Sequence, residues 1–440
     1  MSSTDPISIS GVRGIVVAAR RERNAPFDWC HLGKVKKPSI TLILIACACA
    51  SQAADRFDTN AIDPVAAGMN PQKLAEIPAR MKEFVAAGTI SGIVTIVARH
   101  GKVAEFDAVG LRDIESNSPM QKDSLFRIAS LTKPVTCAAV MVLQDEGRLS
   151  LIDPVEKYLP EYKGLKMNPC RAGAGTHCQT VAPHRPINIE DLMTHTSGLP
   201  SGADAGKGPE PKTLAELVSR GAHSELLFEP GTSWNYSNIG IDILGRIVEI
   251  VGRRPFDQFL KERIFDPLAM SDTGFVVPPE KRERMATLYN FSSGKPERVE
   301  AQWGSPGAIP IPAGGLISTA ADMLRFNEMM RNRGTLNGKR VLSPAAVELM
   351  TMSHTGDMDA GWVTGVGHGF GYEVVREVRG MFRYNSIGTF VKGGAYCTYE
   401  WVDPARDLAG VIMMQRTNGG GDASDETNAV IAISTAAIER

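Results

Sequence analysis

Leu125-Phe126-Arg127-Ile128-Ala129-Ser130-Leu131-Thr132-Lys133-Pro134 is where a β-like run turns directly into a helix, and it decides how the chain is read. Leu125–Ile128 has strand character. From Leu131 to Glu146 the pattern is helical and apolar nearly all round, which predicts a helix buried inside a domain, closed by Gly147 as C-terminal cap. Residues three apart share one face of a helix, so the Lys133 amine can reach the Ser130 hydroxyl. A serine hydroxyl is a weak nucleophile until a base takes its proton, and a lysine can be that base once burial lowers its pKa. The helix start adds N–H groups and a positive dipole end that favour an oxyanion. Pro134 falls in the first turn, where a missing N–H costs no helical bond. The spacing alone is weak: a capping serine followed by a surface lysine would look the same. Ser292-Ser293-Gly294-Lys295 repeats it, but Gly294 and Pro296 put that copy in a loop.

Helices and strands are expected in order on either side of this centre. A helix is expected over 70–87, with Pro71 at its start and Pro78 as a point of kinking or splitting. Strands are expected over 93–98 and 103–109, joined at His100-Gly101. Strand signals vanish through a helical middle, about 165–335, which holds helices over 189–194, 239–251 and 320–332. They return over 372–375, 390–392, 396–402 and 408–415, and a helix over 426–439 ends the chain. Strands at both ends of a helical middle imply an α+β fold, in which one sheet built from both ends is flanked by helices and carries an inserted helical lobe.

Two further constellations carry chemistry. Tyr236-Ser237-Asn238 follows Pro230-Gly231 and precedes a helix. A tyrosine beside an ammonium ionises more easily and can relay a proton to a leaving group, while an asparagine amide can orient a substrate carbonyl. A packing tyrosine and a helix-capping asparagine would give the same letters. Lys392-Gly393-Gly394-Ala395 ends an expected strand, where paired glycines admit close backbone approach; a β-bulge is the plain alternative.

In this order the three motifs resemble those of the serine β-lactamase and penicillin-binding-protein superfamily. The Tyr form is most similar to class C β-lactamases and family VIII carboxylesterases. Phe126-Arg127-Ile128-Ala129, Leu192-Met193-Thr194-His195-Thr196-Ser197-Gly198-Leu199, Phe228-Glu229-Pro230-Gly231, Gly314-Gly315-Leu316-Ile317-Ser318-Thr319-Ala320 and Trp401-Val402-Asp403-Pro404 extend the likeness over 69–440. It implies an antiparallel sheet flanked by helices, with the helical lobe as the other wall of a cleft. Ser130 would be acylated, Lys133 and Tyr236 would share proton transfer, Asn238 would orient substrate, and the Ser130 and Ala395 N–H groups would form the oxyanion hole. His195 would belong to a structural turn. Where family VIII esterases often carry Trp-Gly-Gly, this chain has Lys392-Gly393-Gly394. Lys392 restores a cation for a substrate carboxylate, and Gly393 replaces the usual Thr hydroxyl.

The implied activity is hydrolysis of small carboxylic esters through an acyl-enzyme. A β-lactamase or D-amino-acid peptidase shares the acylation step, and a non-catalytic scaffold is the alternative of another class. No zinc spacing, phosphate loop or Gly-x-Ser-x-Gly elbow occurs, so no metal or other cofactor is implied. With 440 residues, 43% hydrophobic, 22% charged and a net charge of −1, the chain suits a soluble protein with a small ester, lactam or peptide substrate and no nucleic-acid partner.

The beginning reads as an address. Lys34, Lys36 and Lys37 precede an apolar run from Ile40 to Ala50, too short to span a bilayer, and Ser51-Gln52-Ala53 suits signal peptidase. The expected division is 1–34 as an extension outside the native fold, 35–53 as a signal peptide and 54–68 as a linker. A buried strand or helix start is the alternative. Leu44-Ile45-Ala46-Cys47 also resembles a lipobox, which would anchor the protein to a membrane by a lipid on Cys47. Either processing route places the mature chain in the periplasm or outside the cell. Cys170 and Cys178 flank a Gly-rich loop and are either a disulfide or two free thiols.

Overall fold

In the computed structural model, the described residues are 56–168, 170, 179–202, 211–300, 308–358, 360–417 and 424–439. The expected extension, signal segment and Cys47 site lie outside them, as does Cys178. Cys170 is disulfide-bonded.

The expected first helix is two: α1 (Pro71–Leu74) and α2 (Glu76–Ala86), broken at Ala75. Pro78 is the third residue of α2, where its lack of an N–H goes unnoticed. Next come β1 (Gly92–Arg99), β2 (Lys102–Asp113) and β3 (Ser118–Pro119). β1 and β2 join through His100 and Gly101, with φ of 54° and 71°, the left-handed pair that matches the twist of a tight hairpin. β4 (Phe126–Arg127) then leads into α3 (Thr132–Asp145), which is buried from Thr132 to Leu143.

The middle of the chain supplies α4 (Ile189–Met193), α5 (Leu214–Gly221), α6 (Asn238–Gly252), α7 (Phe256–Leu260) and α8 (Asp266–Leu268). Short strands β5 (Tyr289–Asn290), β6 (Glu297–Arg298) and β7 (Ile317–Ser318) follow, and β4 pairs with β7, outside the main sheet. Then come α9 (Ala320–Arg331), the hairpin β8 (Thr335–Leu336) and β9 (Lys339–Arg340), and α10 (Pro344–Thr351). Strands β10 (Val366–His368), β11 (Glu373–Val375), β12 (Phe390–Gly393), β13 (Tyr399–Asp403), β14 (Leu408–Met413) and β15 (Arg416–Thr417) precede the last helix, α11 (Asp425–Ala436).

The main sheet has eight antiparallel strands in the order β10-β11-β12-β13-β14-β1-β2-β3, so late strands pair directly with the first hairpin. Both faces are covered. Val94, Ile96, Val411 and Phe390 face a core shared with α3, α6 and α9; Ile93, Val97, Trp401 and Ile412 face a second core with α2 and α11. Burial on both faces explains why β1 reads as one apolar run rather than an alternation. Trp401 pairs across the sheet with Gly410, where a Cβ would lie 2.1 Å from the indole, so the glycine makes room for the ring. α9 belongs to the sheet layer, with the Asn327 amide donating to the Gly410 carbonyl at 3.3 Å. The expected strand over 396–402 begins only at Tyr399, because Gly394 to Cys397 turn first and Cys397 has a φ of 60°.

Candidate active site

Three elements meet at Ser130. The turn before α3 presents it, and Ala129 there has a φ of 48°, strained for a residue with a Cβ. The turn is held from several sides. The Ile128 N–H donates to the Leu316 carbonyl at 3.0 Å, and the Thr132 hydroxyl donates to the Ala129 carbonyl at 2.7 Å. From the sheet, the Thr398 hydroxyl donates to the Ile128 carbonyl at 2.9 Å.

Lys133 lies in the first turn of α3 and is completely buried. Its Nζ donates to Ser130 Oγ at 3.1 Å and to the Ala313 carbonyl at 2.6 Å. Burial, the largest influence, holds its pKa below the usual lysine value; Lys392 pushes the same way and Tyr236 opposes. Tyr236 arrives from the loop before α6, and its hydroxyl donates to Ser130 Oγ at 2.8 Å. Burial pushes this phenol up, but the Lys392 and Lys133 ammonium groups and the hydrogen bonds with Lys133 and Ser130 outweigh it and leave the pKa lowered. The two ammonium groups lie 5.2 Å and 4.7 Å from the tyrosine ring centroid.

Lys392 comes from β12 and is 1% exposed. Besides Tyr236 it meets the buried Glu373 carboxylate at 3.4 Å. Glu400 stands opposite it on β13, its pKa raised well above the usual value by burial, with Lys392 opposing. Gly394 packs against the Ser130 turn: a Cβ there would lie 2.6 Å from the Ile128 carbonyl oxygen. Ala395, next in the chain, is exposed. Asn238 opens α6 and is exposed, its N–H bound to the Ser201 carbonyl at 2.8 Å. Five of the expected residues (Ser130, Lys133, Tyr236, Lys392 and Gly394) are thus linked by the contacts above, with Gly393 as the last residue of β12.

His195 is fully buried. Its Nδ1 accepts the Ser237 N–H at 3.2 Å, its carbonyl accepts the Asn235 N–H at 2.9 Å, and its ring lies 4.5 Å from that of Tyr236. Burial, with help from His368, Lys133 and Lys392, drives its pKa well down, so it stays neutral. It shapes the tyrosine loop. Ser292, the decoy, sits in an exposed loop with its N–H on Asn290.

Sequence reasoning missed Asp242, Glu373 and Thr398. Asp242, on α6, accepts the Ala313 N–H at 2.9 Å, so one residue, Ala313, stands between it and Lys133. Burial pushes the Asp242 pKa up to about 7, against that hydrogen bond and the Lys133 charge. A lone carboxylate among Ile239, Gly240, Ile241 and Ile243 was the available signal, since an unpaired charge is rarely buried. Glu373 and Thr398 carry no such mark. Among the described residues, no group of three or more His, Cys, Asp or Glu is placed to hold a metal ion.

The turn carrying Ser130 and Lys133, the Tyr loop and the glycine-ended strand define a β-lactamase-type fold, and residues 77–434 match the family model named Beta-lactamase. The chain belongs to this family, whose superfamily includes esterases, penicillin-binding proteins and β-lactamases. It is 31% identical to esterase EstB of Burkholderia gladioli over 81% of this chain and 94% of that one. It is 38% identical to an uncharacterized protein of Mycobacterium tuberculosis, covering 77% and 88%. Among solved structures, EstCE1, described as a hydrolase with promiscuous acyltransferase activity, superposes with a TM-score of 0.69 at 25% identity over 84% of this chain and 99% of that one.

Proposed function

We propose that this protein is a serine hydrolase that cleaves small carboxylic esters through an acyl-enzyme on Ser130. The observation that carries the reading is Ser130 Oγ held between Lys133 Nζ at 3.1 Å and the Tyr236 hydroxyl at 2.8 Å. The Lys133–Tyr236 pair accepts the Ser130 proton as Oγ bonds to the ester carbon. The N–H groups of Ser130 and Ala395 face the developing oxyanion. Tyr236 then returns the proton to the departing alkoxide as its C–O bond breaks. Water repeats the sequence on the acyl-enzyme and releases the acid. Asn238, exposed at the mouth, orients the acyl group.

Two facts favour esters over carboxylate-bearing substrates. Lys392 is buried and already faces Glu373, so its charge serves Tyr236 first. EstB, the Burkholderia gladioli relative, is an esterase. The presence of a lysine at this place supports a β-lactamase or D-amino-acid peptidase as the second reading. A non-catalytic scaffold would have no use for two cations focused on one tyrosine. We further place the mature protein in the periplasm or outside the cell, with Cys47 as the site of a lipid anchor if the lipobox is cut.

Hydrolysis of p-nitrophenyl butyrate beside a chromogenic cephalosporin tests the reading. The ester should be turned over with the higher kcat/KM, and Ser130→Ala should abolish it. A cephalosporin turned over faster than any neutral ester would replace this function with the second.

A further inference from the structure

Trp362 is 65% exposed, although it stands in contact with the proposed proton relay. Its ring lies 5.4 Å from that of Tyr236, tilted by 52°, and 5.8 Å from that of Trp234 in an edge-to-face arrangement of 87°. Two aromatic neighbours thus hold the indole, and the rest of its surface is open. The loop that carries it is pinned as well. Gly361 and Gly365 have φ of 81° and 94°, and a Cβ at Gly361 would lie 2.7 Å from Val366 Cγ2, so this turn is closed against β10.

Which part of a substrate would meet this ring follows from the proton path. A leaving oxygen that takes its proton from Tyr236 must come within hydrogen-bond reach of the same hydroxyl that lies 2.8 Å from Ser130 Oγ. The carbon chain on that oxygen then leaves the site along the tyrosine ring, and the ring beside it is Trp362. A rigid, partly exposed indole offers a large apolar face at low entropic cost, and planar groups stack on it best.

We propose that the open face of Trp362 receives the aryl or other planar apolar group of the leaving alcohol, making it a specificity-determining residue on the alcohol side of the site. The proposal rests on the acyl-enzyme reading above. It separates two classes of ester that share an acyl group, because the acyl-enzyme they form is the same and only its formation should sense Trp362.

Benzyl acetate and ethyl acetate make the comparison, since both give an acetyl-enzyme and their alcohols are similarly basic. Trp362→Ala should lower kcat/KM for benzyl acetate roughly tenfold, the size of one good aromatic contact with its buried area, and leave ethyl acetate within about twofold. Trp362→Phe should keep most of the benzyl preference. Equal losses on both esters, or none on either, would overturn the proposal. A second readout needs no turnover: saturation-transfer NMR with benzyl alcohol should show contact with wild type and lose it in Trp362→Ala. Wild type that binds benzyl alcohol in this way but cleaves neither ester would refute the esterase reading and leave the contact standing. Binding that is undiminished in Trp362→Ala would refute the contact itself.

Discussion

Gly394→Ala is the substitution whose consequence can be worked most directly from the geometry. The added methyl would lie 2.2 Å from Thr398 Oγ1, 2.6 Å from the Ile128 carbonyl oxygen and 3.4 Å from Ala129 Cβ. The threonine hydroxyl can rotate away only by giving up its hydrogen bond to the Ile128 carbonyl. The Ile128 carbonyl cannot, because it is backbone and belongs to the turn that presents Ser130. Restoring ordinary contact therefore draws the end of β12 and the turn at Ala129 apart by about 1 Å, and Ala395 moves with the strand end. An oxyanion donor misplaced by that distance loses about 10²-fold in rate. Overpacking at one strand end costs about 1–3 kcal/mol, less than the roughly 5–15 kcal/mol by which folded proteins are stable, so the fold should survive. The assay is kcat/KM on p-nitrophenyl butyrate, with thermal melting and the rate of fluorophosphonate labelling measured alongside. A drop of about 10²-fold in both rates with a melting point lowered by a few degrees is expected. Wild-type kinetics in a folded protein would show that the end of β12 contributes nothing to the oxyanion, and the proposed hole would have to be redrawn.

Other outcomes follow from the same contacts. Tyr236→Phe removes the hydroxyl 2.8 Å from Ser130 Oγ and should lower kcat by about 10²–10⁴-fold, read in steady-state kinetics. Lys392 holds down the pKa of both Tyr236 and Lys133, so Lys392→Met paired with Glu373→Gln should move the acid limb of the kcat/KM profile to higher pH; an unmoved limb would deny Lys392 its part in setting the base. Asp242→Asn keeps the acceptor for the Ala313 N–H and removes a charge that is costly to bury. Because the folded pKa of about 7 lies above the unfolded value, the wild-type carboxyl costs nothing at low pH and destabilises increasingly as pH rises towards 7. The stability gained by Asp242→Asn in urea titrations should therefore grow from pH 4 to pH 7, reach a few kcal/mol and then level off; a gain independent of pH would contradict the burial argument.

How much of this was legible in the sequence varies with the kind of signal. Ser130 and Lys133 could be found because helical spacing, a buried run and a preceding strand coincide within ten residues. Tyr236 and Lys392 were legible only as members of an ordered set, since each alone is an ordinary loop or strand residue. The helix break at Ala75 was half visible: Pro78 signalled it, but the break falls where Pro78 can sit in the first turn of α2. The pairing of β4 with β7 was not legible, because two-residue strands carry no period. Nor was the Lys392–Glu373 contact. It joins residues on two strands whose register is set by β11 and β12 pairing, and no local pattern announces it. The expectation that Lys392 awaits a substrate carboxylate came with the family resemblance; its burial beside Tyr236 adds a second task that only three-dimensional placement reveals.

The central claim is that Ser130 is the nucleophile. Peptide mapping by mass spectrometry after treatment with a fluorophosphonate tests it without reference to any substrate. One adduct per chain, on the peptide that contains Ser130 and absent from Ser130→Ala, is the predicted result. An adduct on Ser292 or any other serine, or no adduct in a folded protein, would contradict it.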